Sequence, residues 1–106
     1  MADKRLELDR TLRKVMREMV GLENVYFQPP ANLLMKYPAI RYERSDIENT
    51  PADDRPYAQH TFYDVTVIDE NPDSLLVYAI ASLPRCRYGR HYKADNLNHD
   101  TFTIYV

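Results

Sequence analysis

Arg85-Cys-Arg-Tyr-Gly-Arg-His-Tyr-Lys-Ala94, Asp95-Asn-Leu-Asn-His-Asp100 and Thr101-Phe-Thr-Ile-Tyr-Val106 form the stretch that decides the fold. Phe102, Ile104 and Val106 alternate with Thr101, Thr103 and Tyr105, the period-two pattern of a half-buried strand. The run before it is basic and aromatic, and the Asn/Asp cluster between the two has turn chemistry. Two strands and a polar turn therefore close the sequence as a hairpin, with the turn expected over 95–100. A chain that stops on a strand with no polar tail reads as a module complete at its last residue.

The 106 residues suit one domain, taken as 1–106, with one hydrophobic core. Hydrophobic residues make up 44% and charged residues 28%, ordinary globular proportions. Two glycines are too few for phosphate-cradling loops, which need repeated close backbone approach. Nine tyrosines without tryptophan suit surfaces that become buried against another protein, although many tyrosines simply edge the core. Cys86 is alone, so no internal disulfide is expected, and no apolar run is long enough to span a membrane. The N-terminus carries no apolar signal segment. A net charge of −2 argues against a chain devoted to gripping a nucleic-acid backbone.

Working back toward the N-terminus, Asn71-Pro-Asp-Ser74 reads as a helix start, with Asn71 as the cap and Pro72 at the first helical position. Leu75 to Ile80 are apolar on most sides, which predicts a well-buried helix ended by Pro84. Tyr57–Glu70 predicts the longest strand, with Phe62, Thr66 and Ile68 alternating against Tyr63, Val65 and Val67. Ala39–Arg44 predicts another, and Val25–Gln28 a short one stopped by Pro29-Pro30. Residues 45–56 read as a long acidic loop, so 39–70 becomes a long projecting hairpin with an acidic tip. At the start, Leu8, Leu12, Val15, Met19 and Leu22 recur at steps of three and four, predicting a helix over 3–20 ended by Gly21. The expected architecture is α+β in the order α-β-β-β-α-β-β, both helices packed on one face of a mainly antiparallel sheet.

Catalytic chemistry finds little support. His91, Asp95 and His99 have the four-residue spacing of a helix face, but they lie in a strand-turn-strand segment, and no second ligand cluster completes a site. Cys86 follows a helix end, where a buried inert thiol is the common outcome. Asp53-Asp54 are neighbours in the polar stretch, without an apolar pocket to raise one pKa for acid–base work. No enzyme, metal or cofactor is expected.

Charge segregation is the stronger signal. Arg85, Arg87, Arg90 and Lys93 sit together without an acid, whereas Asp46, Glu48, Asp53 and Asp54 sit together without a base. Unlike patches of this kind suit head-to-tail contacts between copies of one chain, and such contacts close into rings when the rotation allows. The basic strand also interleaves Tyr88, His91 and Tyr92, a pattern that can stack bases and neutralise phosphates. A small nucleic-acid-binding module is therefore the other reading.

The phrases Lys36-Tyr-Pro-Ala-Ile-Arg-Tyr42, Val65-Thr-Val-Ile-Asp-Glu-Asn-Pro-Asp-Ser74, Leu83-Pro-Arg-Cys86 and Ala94-Asp-Asn-Leu-Asn-His-Asp100 resemble small phage proteins of the head–tail joining region. With the length and layout, they make residues 36–106 similar to the tail terminator (tail completion) proteins of long-tailed bacteriophages and of related contractile and gene-transfer particles. The resemblance rests on phrasing and layout and contains no catalytic motif. It implies a protomer of a hexameric ring that caps the tail tube, halts its polymerisation and offers the head a docking surface. The implied partners are further copies of the chain, the tail tube protein, head–tail connector proteins and, transiently, passing DNA. No membrane contact is implied, and the implied location is the virion tail or neck, reached from the host cytoplasm. Head-completion or connector-stopper proteins of the neck are the neighbouring alternative.

Overall fold

The N-terminal helix is α1, Asp3–Val20. The structure, a computed structural model, describes residues 3–52 and 55–106. Leu8, Leu12 and Met16 on α1 are buried, Leu12 and Met16 completely, and Val15 packs at the margin. The expected stripe drifts at its C-terminal end: Met19 is 45% exposed and Leu22 42% exposed. Met16 takes the place expected for Met19, because four-residue steps from Leu8 hold the face toward the sheet. The Met16 sulfur also accepts from the Asn24 N–H, tying the chain back after the helix. Gly21 ends α1 at φ +72, a conformation glycine adopts without a Cβ penalty, and its N–H bonds the Arg17 carbonyl.

Five strands follow in one sheet: β1 Val25–Phe27, β2 Ala39–Ala52, β3 Arg55–Asp69, β4 Cys86–Ala94 and β5 Leu97–Tyr105. Their spatial order is β1-β2-β3-β5-β4; β1 runs parallel to β2 and every other pairing is antiparallel. The second helix, α2, spans Leu75–Ala81 between β3 and β4. The fold is thus α+β in the order α-β-β-β-α-β-β, as the residue patterns predict.

Register explains which residues meet the helices. Ile40 lies opposite Val67 and Tyr42 opposite Val65; Val65 in turn faces Phe102, and Tyr63 faces Ile104. Residues directly opposite share a face. This face packs on Leu8, Leu12 and Met16 of α1 and on Leu76 and Ile80 of α2 as one core. The other face carries no helix. On β5 the alternation is strict, with Asn98, Asp100, Phe102 and Ile104 buried and their neighbours half-buried.

Four expectations are corrected. The expected loop over 45–56 is strand wherever it is described: β2 continues to Ala52, β3 starts at Arg55, and the two pair as far as Ala52 opposite Arg55. Its polar sequence hides this because over 45–49 neither side of the strand meets the core, so cross-strand bonding rather than burial holds it extended. The expected turn at 95–100 is only Asp95-Asn96, both at positive φ (53° and 62°), the signature of a tight type I′ hairpin, and β5 already starts at Leu97. Helix α2 is capped by Ser74, whose hydroxyl accepts from the Leu76 N–H at 3.3 Å. Asn71 instead accepts from the Asp73 N–H in a local turn. Finally, α2 buries one face only: Leu76 and Ile80 are fully buried, but Leu75 is 71% and Tyr78 67% exposed.

Strand β4 carries a bulge. Its register jumps between Tyr88 and His91, so that Gly89 and Arg90 together occupy the position across from Thr101. The Thr101 hydroxyl closes the bulge, accepting from the Arg90 N–H at 3.0 Å and donating to the Arg90 carbonyl at 3.3 Å. A Cβ on Gly89 would stand 2.6 Å from that hydroxyl and 3.1 Å from the Thr101 carbonyl oxygen. Gly89→Ala is therefore expected to lower the thermal midpoint and shift the amide resonances of Arg90 and Thr101. An unchanged midpoint would mean the bulge relaxes at no cost.

Candidate functional site

Of the charged residues singled out in the sequence, those that are described lie at the two free edges of the sheet. On one side β1 pairs with Ile40–Tyr42 of β2, Gln28 Oε1 then accepts from the Arg44 N–H at 3.3 Å, and from Ser45 onward no strand of the described residues covers this edge. On the other side β4, among the described residues, has β5 as its only strand neighbour. Strands β3 and β5 separate the two edges, so β2 and β4 of one chain lie about 14 Å apart across the sheet, three strand spacings.

On the acidic edge a register shift between Arg44 and Asp46 resets the strand. Asp46 then lies opposite Phe62 and Glu48 opposite His60, on the helix-free face, while Ile47 lies opposite Thr61 on the helix side. Asp46, Ile47 and Glu48 are all exposed. Asp53 and Asp54, expected in the same group, fall outside the described residues.

The basic edge is less uniform than the sequence suggests. Arg85 precedes β4 at φ 59°, and its carbonyl accepts from the Tyr105 N–H at 3.2 Å. Arg87 lies opposite Thr103 on the helix-free face. Arg90 leaves the bulge with its guanidinium 4.9 Å from the centre of the Tyr92 ring, and Tyr92 stacks on His99 at 4.7 Å and 12°. Lys93, opposite Asn98, belongs to the helix side. Arg87 and Arg90 thus share a face with Asp46 and Glu48, at the opposite edge. Among the described residues none of Asp46, Glu48, Arg85, Arg87, Arg90 or Lys93 has an intrachain ion pair.

Two further polar clusters escaped the sequence reading, because each joins residues far apart in the chain. Under α2, buried Asp100 accepts from the Tyr88 hydroxyl at 2.9 Å and has His91 Nδ1 at 3.1 Å. Burial, followed by the Asp100 hydrogen bond, pushes the Tyr88 phenol above its ordinary pKa. Pro72, Val77, Tyr78 and Ala81 complete a groove over this cluster. An oriented imidazole is a base for nucleophilic catalysis, but no hydroxyl of serine or threonine and no thiol lines the groove. Burial also raises the Cys86 thiol, away from a reactive thiolate. His91 and His99 belong to opposite faces of the sheet, since His91 lies across from Asp100 and His99 across from Ile68.

The second cluster ties α1 to the sheet. Asp9 accepts from the Tyr42 hydroxyl and from Arg13 Nε, while Arg5 donates to the same Tyr42 oxygen at 3.1 Å. Burial raises the Asp9 carboxyl, but the Tyr42 and Arg13 hydrogen bonds and the two arginine charges together exceed it and hold the group below its ordinary pKa. Arg5 also covers the ring of Phe27 at 4.4 Å, so the guanidinium serves hydrogen bonding and stacking together.

No helix among the described residues is long and apolar enough to cross a membrane. Comparison with protein-family models gives no match, and neither does comparison with curated proteins.

Proposed function

We propose that the chain is a structural protein of a phage-type virion that assembles head to tail into a ring. The ring, in the manner of a tail terminator, caps the tail tube, ends its polymerisation and offers the head a docking surface. One observation carries the assembly: the charges of opposite sign lie on opposite edges of one sheet, exposed and without intrachain ion pairs among the described residues. A surface of this kind is complementary to the far side of its own copy, the requirement for a heterologous contact. Like edges repel, so the same charges disfavour two-fold pairing of β4 with β4 or β2 with β2. The likeness of residues 36–106 to tail terminator proteins supplies the biological setting, with six copies, a tube protein and connector proteins as partners and the virion tail as location. A neck role as head-completion or connector-stopper protein would use the same assembly.

Changing Arg85, Arg87, Arg90 and Lys93 together to Gln is expected to abolish the oligomer in sedimentation analysis while leaving the far-UV circular dichroism of the subunit unchanged. Raising salt should weaken assembly of the parent in the same direction. The Arg90–Tyr92–His99 stack favours a second reading, a single-stranded nucleic-acid platform. If the parent is monomeric and binds DNA tightly, and the quadruple variant loses only that binding, the second reading replaces the first.

A further inference from the structure

The backbone of the two edges, and not only their charge, is arranged for pairing. Thr61 and Val106 exchange both main-chain bonds, Thr61 N–H to the Val106 carbonyl at 3.1 Å and Val106 N–H to the Thr61 carbonyl at 3.0 Å. Thr61 therefore turns its polar groups toward β5. Its partner on β2, Ile47, then turns its own N–H and carbonyl outward from the sheet, and Asn49 does the same by alternation. On β4 the Arg85 carbonyl points inward to Tyr105, so alternation leaves the polar groups of Cys86 and Tyr88 facing outward. Each edge offers an unpaired ladder, which is a template for another strand.

Strand direction fits as well. From β2 to β3 to β5 to β4 every step is antiparallel, so β4 runs opposite to β2. A second copy placed beside the first, with its helices on the same side, brings its β4 antiparallel to the open part of β2. Two of the exposed apolar residues, Ile47 (47%) and Tyr88 (48%), sit on these edges, both on the helix side. Setting Ile47 against Tyr88 puts Glu48 against Arg87 and Asp46 against Gly89, where the bulge brings Arg90 alongside; Arg87 and Arg90 both lie on the helix-free face. Residues that face outward meet each other in this register, as an antiparallel ladder needs.

From these juxtapositions we infer that neighbouring subunits join by strand addition: β4 of one copy pairs antiparallel with residues 45–49 of β2 in the next, fusing their sheets. The inference rests on the ring reading and specifies its contact. Within the free chain the Ile47 N–H is held by the Asp46 carboxylate at 2.8 Å. The ladder would take over that N–H and release Asp46 to Arg90. Pro51, which has no N–H to offer, ends the outward ladder two residues past Asn49. Because β1 covers Ile40–Tyr42, the shared ladder is confined to the part of β4 up to the bulge, and the end of β4 passes beside β1; the copies are staggered along the strands, and tilt of the strands relative to the ring axis absorbs such a stagger in closed sheets.

The test compares Ile47→Pro with Ile47→Thr in the full chain, by sedimentation equilibrium. Proline is tolerated at an outward-facing position of an edge strand, so the subunit should fold, but the N–H needed by the neighbour is gone. Ile47→Pro should associate at least roughly tenfold more weakly than Ile47→Thr, the size of one interface hydrogen bond left unmade. A second pair needs no proline: Glu48→Arg and Arg87→Glu should each impair assembly and restore it when combined. If both position-47 variants associate equally and the charge-swapped pair shows no rescue, the ladder is wrong, while salt-sensitive assembly would leave the ring standing. A parent that is monomeric at every concentration overturns both.

Discussion

Replacing Leu12 by Ala is expected to destabilise the subunit by about 2–5 kcal/mol, the range for a leucine truncated in a core that closes only partly over the gap. Leu12 is completely buried in the cluster formed by α1, the sheet and α2, beside Met16 and Leu8 on its own helix. In a domain of this size the loss should lower the thermal midpoint by roughly 10–30 °C. Met19→Ala, two turns further on and 45% exposed, provides the contrast and should change the midpoint little. Calorimetry on both variants checks the register of the helix on the sheet. Equal effects at the two positions would place the helix face wrongly.

Asp9 is expected to have the next largest effect and to make stability depend on acid. Its carboxylate, 16% exposed, is the shared acceptor of Tyr42 and Arg13. Asp9→Ala leaves the hydroxyl of a completely buried tyrosine residue without its acceptor and should cost about 1–3 kcal/mol at neutral pH. The sign of the pH dependence follows from the carboxyl being held below its ordinary pKa in the folded state. Its contribution is complete above the unfolded value of about 4 and fades as pH falls through the lower folded value. Denaturant unfolding of parent and Asp9→Asn should therefore give a stability gap at pH 7 that narrows below about pH 4. A gap that stays constant down to pH 2 would show that the carboxylate charge contributes nothing.

The proposed assembly depends on a different set of residues, those on the two sheet edges. Long edge strands are normally guarded against pairing by charge, and here the guard has opposite sign at the two edges. In the proposed assembly it would disfavour association of like edges and permit the unlike one. An exposed Ile47 and an exposed Tyr88 would be liabilities on a permanently free edge; set against each other across a subunit boundary, they become a cross-strand pair.

The residue pattern alone determined the element order, because burial leaves a local trace wherever an element meets the core. Leu8 and Leu12 at helical spacing, Tyr63, Val65 and Val67 in alternation, and Phe102 and Ile104 at the end of the chain all mark the faces that the structure buries. The charge segregation was legible too, since it is a matter of neighbours in sequence. The strand at 45–52 was not legible, because it is held by hydrogen bonds to β3 and over 45–49 faces solvent on both sides. Nor was the single buried face of α2: an apolar run cannot show that Leu75 and Tyr78 have no partner. The clusters Asp9–Tyr42 and Tyr88–Asp100–His91 join residues up to 33 positions apart and leave no periodic signal. Only tertiary structure decided that the acidic and basic runs occupy opposite edges, because strand order is set by how the hairpins pack under the two helices. A linear charge pattern is the same whether the runs face each other within one chain or look outward toward the next.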